Sequence, residues 1–139
     1  MALDTIGALT SYLKAAPDVY VASAGRVFGG ELPRTENTSM SRAAIVVKRA
    51  GGGLLGTAYQ EYGDIRVDID CYGKTMREAD QLYSVARLAL KQLSRIVADG
   101  VLFHWARISS DGVSLRDPET DWPMCVGSFQ VLVAEIAVY

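Results

Sequence analysis

The sequence predicts an α+β fold: a mixed or antiparallel β-sheet of about four to five strands with two main helices packed on one face. Three observations carry this. From Ile65 the residues alternate, with Ile65, Val67, Ile69 and Cys71 pointing one way and Arg66, Asp68, Asp70 and Tyr72 the other, the period of a strand with one face in a core. After Gly73 the period lengthens: Ala79, Leu82, Tyr83, Ala86, Leu90, Leu93 and Val97 recur at three- and four-residue steps, a helical stripe. The closing run from Val126 to Tyr139 is apolar on both faces, as in strands covered on both sides.

Asp4 caps a first helix from about Thr5 to Ala15, with Ile6, Leu9 and Leu13 on one face and Pro17 closing it. Val19 to Ala22 either prolongs that turn or starts a strand. Arg26-Val27-Phe28 is a brief strand stopped by Gly29-Gly30. The polar, aperiodic stretch at about 31–42 is a long exposed loop, of the kind that tends to be functional or disordered. Ala43 to Arg49 is a strong strand centred on Ile45-Val46-Val47. A second flexible segment at about 51–61, opened by Gly51-Gly52-Gly53, joins it to the Ile65 strand as a long hairpin.

The main helix opens on a capping box, Thr75-Met76-Arg77-Glu78, whose hydroxyl and carboxylate satisfy backbone N–H groups of the first turn. Followed through Val97 to a C-cap at Gly100, it would be roughly 33 Å long at ~1.5 Å per residue. Val101 to Ser109 is the next strand, ended by the turn signal Ser110-Asp111-Gly112, with Val113 to Leu115 as a short returning strand. Asp117 to Pro123 is a loop with two prolines, and the strand from Val126 completes the sheet. Two helices cover one sheet face comfortably but hardly two. The second apolar face of the last strand therefore calls for another copy or another protein.

Composition narrows the function classes. The 139 residues fit one domain, 1–139, and with half of them apolar and 22% charged the chain is globular rather than disordered. A formal charge of −2 argues against a generic nucleic-acid binder. Asp4 interrupts any secretory pattern, and the longest uncharged stretch, Trp122 to Ala134, falls short of the ~20 residues a membrane span needs. Cys71 and Cys125, far apart in the chain and each in a strand pattern, read as buried free thiols of a reducing compartment.

No constellation demands catalysis, a metal or a cofactor. His104 has no Cys or second His at a ligand spacing and reads as a structural or surface imidazole. Asp68 and Asp70 share a face with Arg66, so ion pairing outweighs a catalytic carboxylate pair. Gly51-Gly52-Gly53-Leu54-Leu55-Gly56-Thr57 lacks the lysine and the following helix of a phosphate loop. Ser23, Ser109 and Ser110 lack a nucleophile-elbow context. Trp122-Pro123 reads as a loop anchor, with an interface anchor as the second option.

The N-terminal helix, the Arg26-Val27-Phe28 strand with its Pro33 loop, and Ile65 to Gly73 followed by Thr75, Glu78-Ala79 and Leu82 resemble the tail terminator (tail completion) proteins of long-tailed phages and gene transfer agents, the lambda-type minor tail terminator among them. The resemblance covers nearly the whole chain and is sharpest from Ile65 to Leu93. It implies a structural virion protein, located in the tail or neck and assembled in the host cytoplasm. Such proteins form a hexameric ring that caps the head-proximal end of the tail tube, ends its polymerisation and offers the neck or head-completion protein a surface.

The implied partners are further copies of the chain, the major tail tube protein and the neck protein, with DNA passing through the ring without specific binding and no membrane. No catalytic residue carries over. Candidate contact residues are Arg34, Glu36, Arg42, Leu54, Leu55, Tyr59, Trp122, Phe129 and Val131. Arg66, Asp68 and Asp70 either line the channel or pair across subunits. Two readings stand beside this one: another head–tail connector, and a small enzyme or ligand-binding domain using Asp68, Asp70 and His104.

Overall fold

The structure, a computed structural model, describes residues 4–31, 42–56, 61–118 and 120–135. Local sequence determines most of its elements. Asp4 accepts a hydrogen bond from the Gly7 N–H at 3.0 Å and opens α1 (Thr5–Ala15). Pro17, placed where a missing N–H costs nothing, begins a second short helix, α2 (Pro17–Ser23), so Val19 to Ala22 is helical. Ala24, left-handed at φ 55°, ends it. Thr75 accepts from the Glu78 N–H at 3.2 Å and opens α3 (Met76–Lys91).

The strands are β1 (Val27–Gly29), β2 (Ala44–Gly56), β3 (Glu61–Tyr72), β4 (Ser94–Ala98), β5 (Val101–Arg116) and β6 (Pro123–Glu135). They form one sheet in the order β1-β2-β3-β6-β5-β4, with β1 parallel to β2 and every other pair antiparallel. The mixed sheet under helices agrees with the sequence reading, with six strands rather than four to five and three helices rather than two among the described residues.

Two corrections lie at turns. The helical stripe does not run on to Val97. Asp99 and Gly100, at φ 47° and 76°, form a two-residue hairpin turn pairing Ala98 with Val101, which commits Ser94–Ala98 to a strand. The helix therefore spans 16 residues, about 24 Å, and Gly100 is a turn residue rather than a cap. Ser110-Asp111-Gly112 does not reverse the chain either. β6 offers ladder partners on both sides of it, so β5 continues through two irregularities, between Ile108 and Ser110 and between Ser110 and Val113. The Gly51–Gly56 stretch is likewise strand, with a bulge between Arg49 and Gly51.

All three helices lie over one face. Leu9, Leu13, Val19, Leu82, Tyr83, Ala86 and Leu90 pack there with Ile45, Val47, Ile65, Val67, Ile69, Phe103, Phe129, Val131 and Val133 in a continuous core. Cys71 and Cys125 belong to it, and although distant in the chain they stand directly opposite each other across β3 and β6. Both are buried free thiols.

Candidate functional site

The face of the sheet turned away from the helices carries Asp64, Arg66, Asp68 and Asp70 of β3, and the structure gives each of these four a partner on another strand. Lys48 Nζ lies 2.7 Å from Asp70 Oδ2. Ser128 Oγ donates to Asp68 Oδ1 at 2.6 Å, Gln130 Nε2 donates to Asp64 Oδ1 at 2.8 Å, and Arg66 Nη2 donates to Ser109 Oγ at 3.3 Å. The result is a mixed-charge belt across β2, β3, β6 and β5. Burial pushes the Asp70 carboxyl above its ordinary value, and the Lys48 ammonium opposes that shift.

One end of this face is apolar. Ala44, Val46, Tyr72, Trp122 and Met124 form a second cluster, with Phe28 and Val126 packed against it. The β5–β6 loop folds Trp122 over that end: its indole meets the Tyr72 ring edge-on at 6.1 Å, and the Tyr72 hydroxyl donates to Asp117 at 3.0 Å. The chain thus shields part of the second face with its own loop. The middle of β6 on this face is polar, at Ser128 and Gln130, so it asks for less foreign cover than its composition suggested. Val113 and Leu115, opposite Val126 and Met124, remain 54% and 40% exposed at the margin of the cluster.

The sheet also has two unfinished edges. β1 pairs with β2 only from Ile45 to Val47, and β4 pairs with β5 only as far as Trp105. Among the described residues no strand pairs with the outer edge of β2 from Lys48 onward, or with that of β5 from Ala106 to Arg116. These stretches lie at opposite sides and opposite ends of the sheet.

The residues proposed from sequence fall into separate groups. Arg66, Asp68 and Asp70 share the belt as expected. Trp122 is an intramolecular anchor, 6% exposed. Phe129 and Val131 are buried on the helix side, Phe129 against Tyr83. Arg42 is exposed; Leu54 and Leu55 lie in β2, and Arg34, Glu36 and Tyr59 lie outside the described residues. His104 is on β5, about four residues along and two strands over from Asp68, roughly 16 Å away, so the two form no common site. Among the described residues no group of three or more His, Cys, Asp or Glu side chains is arranged to hold a metal, and no helix is long and apolar enough to cross a membrane.

The sequence reading missed Val21 on α2, Leu88 on α3 and Ile108 on β5, which join Val113 and Leu115 as large exposed apolar side chains. For Val113 and Leu115 the alternation after Gly112 was the available signal. For Val21 it was the first turn after Pro17.

No family model and no curated protein matches the chain. Among solved structures it is similar to a chain in the virion of a native gene transfer agent particle, with a TM-score of 0.62 and 11% identity over 94% of both chains. At that identity the likeness is one of fold, and it extends through nearly all of both chains.

Proposed function

We propose that this chain is a structural subunit of a phage-like or gene-transfer-agent particle, and that it closes into a ring, hexameric by the family resemblance, on the head-proximal end of the tail tube. The two unfinished edges are the observation that carries the reading. Passing from β2 through β3 and β6 to β5 reverses the strand direction three times, so β5 runs opposite to β2. Copies arranged head to tail around an axis would therefore set β5 of one beside β2 of the next in antiparallel sense. This repeat closes on itself and pairs the open stretches of β2 and β5 around the ring.

The same geometry favours the belt as channel lining rather than subunit contact. Its charges are already bonded within one subunit, and its mixed sign gives passing DNA no basic stripe to bind. Growth stops because one ring surface matches the next tube layer and the other does not. That second surface receives the neck or head-completion protein. The fold likeness to a virion component supports this reading, as does the separation of His104 from Asp68, which disfavours an enzyme using those side chains together.

Sedimentation of the purified protein, electron micrographs, and incubation with tail tubes from the particle that encodes it form the test. Rings that block tube elongation are the expected result. Binding to isolated connectors but never to tubes would move the assignment to another neck component, and a monomer that ignores both would overturn it. Deleting residues 35–41 should disturb tail length or head attachment.

A further inference from the structure

We infer that successive copies lock together through Val21 of one and a pocket beside β5 of the next; this rests on the ring reading above for its head-to-tail arrangement. The pocket, about 240 Å³, is lined by Arg87, Lys91, Ala106, Arg107, Ile108 and Phe129. Its floor is apolar and its rim is basic. It lies on the β5 flank of α3, next to the strand edge that lacks a partner.

The opposite flank of α3 neighbours α2 across an open groove of about 430 Å³, whose lining includes Asp18 and Val21 from α2 and Val85 and Leu88 from α3. There α2 presents Val21, at 80% the most exposed large apolar side chain described, and one helical turn before it Asp18. A branched aliphatic side chain beside a carboxylate faces away from one flank of the subunit, and an apolar hole beside two cations opens on the other. Arg87 Nε reaches Asp111 at 3.4 Å, while the exposed Lys91 ammonium stands at the rim. The Arg107 guanidinium, also at the pocket, stacks over Trp105 at 4.2 Å. Apolar character and charge are therefore complementary between the two flanks of the same chain, which argues for a second copy as the occupant. The contact is heterologous, the type that builds rings.

Crosslinking with singly substituted proteins tests this. Val21→Cys and Ile108→Cys both change exposed side chains, and the two native thiols are buried. Mixed and treated with a short bismaleimide, the two variants should give a crosslinked dimer that neither gives alone. Asp18→Lys and Lys91→Glu should each weaken self-association by roughly tenfold at low salt, and the double variant should recover it. Absence of the mixed link overturns the contact. If micrographs still show rings, the ring reading survives without it, whereas failure to form any oligomer counts against both. A Val21→Cys protein that links to tail-tube protein instead of to Ile108→Cys also overturns the proposal.

Discussion

The Tyr83 hydroxyl donates to Asp111 at 3.0 Å, tying α3 to the bulged half of β5. The Asp111 carboxyl is held below the usual carboxylate range by the Gly112 N–H, by Tyr83 and by Arg87, while burial and Asp111 push the Tyr83 hydroxyl up. The ring fits because two neighbouring strands present glycines beneath it. A Cβ on Gly112 would fall 2.7 Å from the ring, and one on Gly127 would overlap it too. Gly127→Ala should destabilise the protein by about 1–3 kcal/mol through overpacking, because the ring is rigid and anchored at its far end. The cost should shrink in a Tyr83→Ala background. Urea denaturation of the four proteins in this cycle checks the claim; equal costs in both backgrounds would show that the ring is not the obstacle.

Lys48 and Asp70 make an asymmetric pair, the lysine side chain 43% exposed and the aspartate 5%. Lys48→Met leaves a buried carboxylate without its cation, and a loss of about 2 kcal/mol is expected at neutral pH, less than for a fully buried pair because the lysine is partly solvated. With its pKa raised, Asp70 holds a proton more tightly folded than unfolded. Its ionisation therefore lowers stability as pH climbs from the ordinary 3.8 through the higher folded value. Removing Lys48 extends that window upward. The variant and the parent should converge in stability below the ordinary carboxylate value and separate above it. A gap that is constant with pH would mean that the carboxylate is not its cause.

Elements set by neighbouring residues were readable from sequence, and those set by distant pairing were not. The bounds of α1 follow from Asp4 and Pro17, and the start of α3 from Thr75. Leu93 and Val97 fit a helical stripe just as well as a strand, because the two periods coincide over short runs. The Asp99-Gly100 turn and the β5 ladder decided between them. At the candidate site the shared face of Arg66, Asp68 and Asp70 was legible as alternation. Their partners Ser109, Ser128 and Lys48 arrive from other strands, in a register that no local pattern records. Phe129 and Val131 show the limit most plainly: in a strand apolar on both sides, sequence does not say which side the helices take.

Cys71 and Cys125 should be inert in the native protein despite standing side by side. Burial raises the Cys71 thiol well above its ordinary value, and burial together with the nearby Asp80 carboxylate raises Cys125 to about 11. The thiolate, the reactive form, is therefore scarce at neutral pH, and neither sulfur is open to reagent. An aromatic disulfide reagent should titrate no thiol in the native state and both after denaturation. Rapid labelling of one thiol in native protein would mean that the α3–β6 packing opens on the timescale of the assay.

Leu115 and Val113 offer the most direct separation of folding from assembly. Both are exposed on β5, on the unfinished edge and beside the apolar end of the outer face, so neither contributes much to the subunit's own core. Leu115→Lys and Val113→Lys should each leave unfolding stability within about 0.5 kcal/mol, as surface substitutions usually do. A lysine on an open strand edge resists addition of another strand, because its charge would have to be desolvated or matched. Self-association of the double variant should therefore fall while its circular dichroism and unfolding midpoint stay unchanged, as sedimentation at matched concentrations would show. If the double variant still forms rings of parental size, this end of β5 lies outside the subunit contact and the edge-to-edge arrangement is wrong there.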